Sequence, residues 1–578
     1  MNKLIPIEGG SPMSIEDSLE NVPELQQYNE QFPELFELSA KVESLPRSSS
    51  VHPCGVVITS VPIHNVSPLM RSKEGDAVSQ YEGGTLEELG LIKFDFLGLK
   101  NLSVIHIANE LVKKRHDVHI DPDKIDIYDE KIYKVIHEGH TSALFQIESS
   151  GMQSLFKGLN KVDFPSLVAG IALYRPGPMQ HIPEYQARAN GQKEVEYFHS
   201  DAEEVLKETH GIMIYQEQLM QLAGIFGGYT PGEQDNLRKA TGKKSQAVMD
   251  KVLPELRQRT LDSGYAEETA DELIRLIEPF VGYGFNKSHS AAYAFVCVQT
   301  AYFKTYYPLE FMAGVLTVFG SNPEKAMEYI DEAKRMGIKL LPPDINSSEK
   351  GFAVNDDSIL FGFDGIKGLG EAAIASIIDF RPFDSITDLI ERVPKRKLNK
   401  KALKVLTLSG AFDSLMDSNL NRMQMLESIY AIRGDKDDIR EEVALFNNKR
   451  KYELEKELMG IYISGNPLDD IASPINWDFT PDNEKISGTG ILTSFKVLKT
   501  KKGDDMAFLN IDTLEGNKRM LLFPQQYEKV SDLLVNGVTL HFICYMKYSL
   551  QYDERSIIIH DIKVPKRINK HLLAPLGK

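Results

Sequence analysis

Positive charge, cysteine and long apolar runs are all scarce in this chain, and each scarcity closes off a class of protein. Sixty-six lysines and arginines face 83 acids over 578 residues, a net charge of −17. That balance argues against a coat that holds nucleic acid by bulk charge, although local basic patches can still meet phosphates. Cys54, Cys297 and Cys544 are far apart and lack metal-ligand spacing. They suit a reducing compartment and provide no disulfide framework. No apolar run approaches the roughly 18 residues of a membrane span. The N-terminus, with Pro6 and Glu8, does not read as a signal peptide. A soluble, cytoplasmic protein with no membrane partner is expected. Missing too is any Asp-x-Asp pair in residues 1–94.

The composition that remains is globular, 42% apolar and 26% charged, with length for about three to five domains. Residues 11–45 space apolar side chains as short amphipathic helices do. Residues 51–60 switch to a β-branched strand pattern, and a second strand is predicted over 91–96. Residues 101–340 read as mostly helical. Pro342-Pro343 with Asn346-Ser347-Ser348 marks a boundary, 435–457 is a strongly charged helix, and 491–568 holds about five β-rich runs that suit a small OB-type barrel.

Lys93-Phe94-Asp95-Phe96 carries the sharpest chemical signal. An acid between aromatics at the end of a buried strand is costly unless it is paired or binds a metal. Lys93, two residues earlier, shares its face and could meet a phosphate. Equally, Asp95 could cap the helix beginning near Asn101. Two-metal nucleotidyl transfer needs about three carboxylates, so the other ligands would lie elsewhere. Arg238-Lys239 with Lys243-Lys244 gathers cations that could converge on a triphosphate, or form a solvated basic face. Gly282–Ala294 combines close-approach glycines with Tyr283, Asn286, Lys287, Ser288 and His289, the mixture a nucleotide pocket needs. Tyr174–Pro178 reads as a rigid turn fixing Arg175. Phe145–Ser149 and Tyr215–Gln218 read as helix-start polar residues, capping in the first instance. Asp121-Pro122-Asp123 reads as a turn and helix start. Lys367-Gly368-Leu369-Gly370 fits a hairpin between helices whose amides face a DNA phosphate. A second hairpin is predicted at Leu408–Phe412, reached through Lys395, Arg396 and Lys397.

These motifs, in this order, resemble the bacterial replicative DNA polymerase III alpha subunit, a family-C polymerase, from about residue 2 to 470, with the terminal barrel also fitting. The resemblance implies a multidomain α+β fold: partial thumb (1–50), C-terminal part of a nucleotidyltransferase-like palm (51–100), mostly helical fingers (101–345), tandem helix-hairpin-helix region (346–430), clamp-binding region (431–475) and OB-fold domain (476–578). It implies that Asp95 is the third catalytic carboxylate, that two Mg²⁺ ions are shared with a partner's carboxylates, and that Lys93, Arg238, Lys239, Tyr283, Asn286 and His289 bind the incoming nucleotide. Family members usually carry Arg-Arg where Lys239 stands, so bidentate geometry is lost there. The family's His-Ala-Gly-Gly-Val-Val-Ile is here His52–Ile58 with Pro53-Cys54 in the loop. Leu445 and Phe446 sit where the family carries its sliding-clamp motif.

The expectation is therefore DNA-templated DNA synthesis by a split enzyme, inactive without an N-terminal polymerase fragment, with deoxynucleoside triphosphates and primer-template DNA as substrates. Split genes of this kind suit a large bacteriophage. In the barrel, Phe495, Lys499, Lys501, Lys502 and Phe508 would bind single strands. The alternative is a non-catalytic DNA- or clamp-binding scaffold derived from a polymerase.

Overall fold

The computed structural model describes residues 4–8, 11–43, 45, 50–52, 54–72, 75–242, 246–280, 284–417, 419–435, 439–475, 477, 480–500, 503–549 and 554–563. Tyr283, Lys501 and Lys502, together with Lys243 and Lys244, lie outside them. The chain divides into two compact units, Met1–Leu99 and Lys100–Lys578.

In the first unit, three short helices run over Ile15–Asn21, Pro23–Gln31 and Pro33–Val42. Ser14 starts the first by accepting from the Asp17 amide, and proline opens each of the next two, where no intrahelical N–H is required. The strands β1 (Gly55–Ile58) and β2 (Ile92–Asp95) pair antiparallel, with Gly55 opposite Asp95, Val56 opposite Phe94, Val57 opposite Lys93 and Ile58 opposite Ile92. Alternation puts Val56, Ile58, Ile92 and Phe94 on one face and Lys93 and Asp95 on the other. The expected burial of this strand does not hold. Side chains on the apolar face are 43–62% exposed, because in this two-stranded sheet nothing within the unit covers them.

The second unit is built on helices. Among the helices of residues 100–335 are α1 (Lys100–His116), α2 (Phe164–Leu173), α3 (Gln216–Gly227), α4 (Pro231–Gly242), α5 (Lys287–Tyr306), α6 (Pro308–Phe319) and α7 (Pro323–Arg335). α5 lies deep, with Ala294, Cys297, Val298, Ala301 and Phe303 all buried. Gly314 of α6 lets the α1 backbone approach, since a Cβ there would sit 3.1 Å from the Val104 carbonyl oxygen. The stretch around residue 345, where a boundary is expected, is packed. Ile345 is fully buried, and the Asn346 amide both donates to the Phe383 carbonyl and accepts its N–H. One core cluster runs from Val104 through to Ile461, passing α8 (Glu371–Phe380) and α9 (Lys400–Ser409). The charged stretch splits into α10 (Arg440–Leu445) and a helix over Asn448–Met459.

Strands β3 (Ile486–Lys499), β4 (Asp505–Thr513), β5 (Gly516–Leu522), β6 (Thr539–Ser549) and β7 (Glu554–Lys563) close into a barrel in the order β3-β4-β5-β7-β6. β5 and β7 pair parallel, the other neighbours antiparallel. Inside pack Leu492, Leu509, Ile511, Met520, Leu540 and Phe542. The Lys456–Asp512 ion pair ties the barrel to the helix before it.

Candidate active site and nucleic-acid interface

On the polar face of β1–β2, Lys93 Nζ lies 3.4 Å from Asp95 Oδ1 and His52 Nδ1 lies 3.8 Å from the same oxygen. Cys54 N–H donates to His52 Nδ1 at 3.3 Å, which holds the ring over the strand end. Gly55, opposite Asp95, makes room for this cluster. A Cβ at Gly55 would come within 3.0 Å of His52 Nδ1, 3.2 Å of Lys93 Cε and 3.3 Å of Asp95 Oδ1, so any larger residue would push the three groups apart. The Asp95 side chain is half exposed and open to a ligand. Among the described residues no group of three or more His, Cys, Asp or Glu side chains could hold a metal. Asp95 stands with an ammonium and an imidazole near the same carboxylate oxygen.

In the second unit, Arg238 and Lys239 stand on the last turns of α4. Both are held by Asp235 one turn earlier: Arg238 Nε and Nη2 donate to Oδ1 at 3.0 and 2.8 Å, and Lys239 Nζ reaches Oδ2 at 2.8 Å. The hydrogen bonds from Lys239 and Arg238 keep the Asp235 carboxyl below the usual carboxylate range. At this solvent-exposed position such pairs are weak, so a triphosphate could take both cations from Asp235.

Three motifs that are distant in sequence converge at the start of α5. The Phe285 backbone pairs with Ile214 and Gln216, the Gln216 amide donates to the Gly284 carbonyl at 3.1 Å, and the Arg175 guanidinium lies 4.3 Å from the Phe285 ring centroid. Asn286 caps α5 by accepting the His289 amide and donates its own amide to Glu217. His289 is exposed and meets Phe285 edge-on at 5.5 Å and Tyr293 at a tilt at 4.1 Å, and Tyr293 in turn meets Phe145 edge-on at 5.0 Å. The result is a run of flat groups, Arg175–Phe285–His289–Tyr293–Phe145, with His289 open to solvent. At Tyr215–Gln218 the capping reading holds, since Gln218 Oε1 accepts from both the Ile214 and Tyr215 amides. Asp121 likewise caps a single turn through the Asp123 amide.

The two glycine turns proposed as hairpins have different surroundings. Lys367, Gly368 and Gly370 are exposed. Gly368 has a left-handed φ of 90°, and the Lys401 side chain from the first turn of α9 lies against it, which adds a cation to the hairpin. Lys395, Arg396 and Lys397 sit in the exposed turn before α9. Gly410, in contrast, is packed: Ser409, Ala411 and Phe412 are buried, and a Cβ at Gly410 would strike the Arg422 guanidinium. Arg422 is itself held by Asp413 and Glu455. This second turn is a core joint and cannot face a phosphate.

Of the clamp candidates, Leu445 is 71% exposed at the end of α10, whereas Phe446 packs partly against the main core. On the barrel, Lys499 pairs with Asp505 at 3.1 Å. Phe495 lies opposite Leu509 and Phe508 opposite Lys496, so by alternation the two phenylalanines occupy opposite faces. The Arg519 guanidinium stacks on Phe508 at 4.2 Å. The aromatics therefore do not make one stacking surface, and Phe508, Arg519 and Lys496 form the outer group.

Sequence reading passed over Asp235 and met His52, Glu217 and Lys401 only as members of longer motifs, without a role of their own. Asp235 was findable, at three and four residues from its cations. The others come together only through tertiary contacts.

A multidomain α+β protein with a hairpin between helices and a closed barrel is the class this fold defines. Models of the bacterial DNA polymerase III alpha NTPase domain, the bacterial DNA polymerase III alpha subunit finger domain and the helix-hairpin-helix motif match residues 1–98, 101–264 and 337–425. Relatives named DNA polymerase III subunit alpha from Aquifex aeolicus, Thermus aquaticus and Bacillus subtilis are 36%, 36% and 35% identical over 99%, 93% and 93% of this chain. The chain belongs to the family of the bacterial DNA polymerase III alpha subunit. It spans about half the length of those relatives, 51%, 47% and 51%. No helix among the described residues is long and apolar enough to cross a membrane.

Proposed function

We propose that this chain carries part of the machinery for DNA-templated DNA synthesis by two-metal nucleotidyl transfer, with primer-template DNA and deoxynucleoside triphosphates as substrates. The observation that carries this reading is the Lys93–Asp95 pair over Gly55, an acid and a cation on one strand face with space kept open above them. Asp95 would be one ligand of a pair of Mg²⁺ ions, and a complementary N-terminal polymerase fragment would bring the other two aspartates. The uncovered apolar face of β1–β2 supports such a partner, because a joint with that fragment would bury it. Lys93, Arg238 and Lys239 would neutralise the triphosphate, with Asn286 and His289 at the nucleotide. In this reading residues 1–50 are thumb, 51–100 palm, 101–345 fingers, 346–430 duplex-binding, 431–475 clamp-binding through Leu445 and Phe446, and 476–578 an OB-type domain. The barrel's strand order, its parallel β5–β7 pair and the helix Pro524–Val530 before β6 support the last. Lys367, Gly368 and Gly370, with Lys395, Arg396, Lys397 and Lys401, would follow duplex phosphates, and Lys499 a single strand.

The test is primer extension by this chain co-expressed with the complementary fragment. Activity should appear in the pair and in neither piece alone. Asp95→Asn should remove it, by roughly a thousandfold or more, with folding intact. Substantial residual extension would take Asp95 out of the catalytic set. Arg238→Ala should raise KM for nucleotides and lower kcat.

A second reading, a non-catalytic scaffold, is favoured by one observation: among the described residues no group of three or more His, Cys, Asp or Glu side chains is placed to hold a metal. A scaffold has no use for a triphosphate site, so nucleotide binding that depends on Arg238 would decide against it.

A further inference from the structure

Thr141–Ile147 is a loop in which every residue is buried except Gln146. It is held from several sides. Lys304 of α5 donates to the carbonyls of His140 and Ser142, both at 2.8 Å, and pairs with Glu332 at 2.5 Å. The Phe145 amide donates to Thr300 Oγ1 at 3.2 Å. Glu148 accepts from the Ala143 amide, Lys325 and Tyr329. Within this clamp Ala143 and Gln146 both have left-handed backbones, φ 65° and 67°. Neither is glycine, so both are strained.

Two facts stand out about Gln146. Glycine would hold its backbone conformation at lower cost, yet a long polar side chain stands there. That side chain has no hydrogen-bond partner among the described residues. The residue before it in the chain, Phe145, meets Tyr293 with its ring, and Tyr293 meets His289, so Gln146 follows directly on a member of the flat-group run at the start of α5. A rigid loop that presents one free amide beside that run fits a contact whose geometry matters more than its strength. A neutral amide suits a base edge better than a phosphate, which calls for cations.

We infer that Gln146 hydrogen-bonds the minor-groove edge of the base pair at the site of synthesis and is a specificity-determining residue. This rests on the polymerase reading above. An enzyme that copies all four bases cannot read the major groove, where each pair differs. In the minor groove, purine N3 and pyrimidine O2 acceptors are common to the correct pairs. One amide donor can therefore touch any correct pair, while a mispair displaces the acceptor from a loop too rigid to follow it.

The test uses Gln146→Gly, which relaxes the backbone while deleting the amide, and Gln146→Asn, which keeps an amide in a residue that tolerates this φ. In the reconstituted enzyme, Gln146→Gly should hold or raise the thermal midpoint. It should lower kcat/KM for correct nucleotides about tenfold, the worth of one neutral hydrogen bond, and narrow the gap to mismatched ones. Gln146→Asn should recover part of the loss. A merely structural role would move stability and leave discrimination unchanged. A second measurement needs no activity: binding of the full 578-residue chain to a primer-template whose terminal guanine is replaced by 3-deazaguanine, which lacks the N3 acceptor. The wild-type chain should bind it several-fold more weakly than the guanine primer, and Gln146→Gly should bind both equally. Indifference of the wild-type chain to the deaza base, or a Gln146→Gly enzyme with unchanged discrimination, overturns the proposal. If the reconstituted wild-type enzyme extends no primer but the deaza effect vanishes in Gln146→Gly, the polymerase reading fails and the Gln146 contact stands.

Discussion

The β1–β2 ribbon and the C-terminal barrel are both built from strands that alternate inner and outer residues, yet they end in opposite states. The barrel closes on itself, so every strand has two neighbours and its apolar side chains meet in a common interior where Leu492, Leu509 and Leu540 are fully buried. The ribbon has two strands, and its apolar face, Val56, Ile58, Ile92 and Phe94, stays exposed. Alternation specifies a face and does not provide what covers it. A sheet that carries its own cover is a domain, and one that lacks it is half of an interface. In this chain the uncovered sheet is also the one that holds Asp95.

The largest effect should come from cutting one phenylalanine in each sheet. Phe542→Ala removes a ring that is 2% exposed and should cost about 3–5 kcal/mol in the barrel. Phe94→Ala should change the stability of the isolated chain by less than about 0.5 kcal/mol. Urea unfolding followed by tryptophan fluorescence reads the first, since Trp477 packs in the barrel core. A comparable loss at Phe94 would show that the ribbon is already covered.

Val56→Asp sharpens the comparison further. It should leave the isolated chain's melting point unchanged and weaken association with the complementary fragment by tenfold or more, because a charge would be buried at the joint. Isothermal titration of the two pieces measures it, and unchanged affinity would move the interface off this face.

A smaller difference is expected between the two glycine turns. Gly410→Ala forces Cβ into the Arg422 guanidinium at a left-handed position, and about 2 kcal/mol or more of stability should be lost. Gly368→Ala should cost less, near 1 kcal/mol, and weaken duplex binding in a gel-shift assay.

The two faces of the barrel sheet offer a further contrast. Phe508→Ala should lower single-strand affinity by about 1–3 kcal/mol, with Phe495→Ala acting independently because it lies on the other face. Additivity of the two in a double variant checks this, and strong coupling would place both rings on one strand of DNA.

Much of this was legible in the sequence for local reasons. The turn and helix start at Asp121, the capping residues of Tyr215–Gln218 and the switch from helical to alternating spacing at 51–60 are each decided within a few residues. The caps Ser14 and Asn286 are equally local, although sequence reading passes over the first and takes the second as a nucleotide contact. The Lys93–Asp95 pairing was also readable, because residues two apart on a strand share a face. Other features were not readable. The predicted burial of β2 failed because burial depends on neighbours that alternation does not name. The close packing around residue 345 was not readable either, because proline pairs mark turns whether or not the turn is packed.

What the sequence determined by itself, then, is the set of elements, their starts and the residue types on each face, all properties of chain segments a few residues long. Only the tertiary structure decided which glycine turn is exposed, that Phe495 and Phe508 are back to back, that Gly55 clears the space over Asp95, and that Gln146 is held in a strained backbone. Each of these is set by contacts between residues tens to hundreds of positions apart, and no local spacing carries that information. Gln146 shows the difference most clearly: in the chain it looks like a helix-start residue, and in the fold it is the one exposed side chain of a buried loop pinned by Lys304, Thr300 and Glu148.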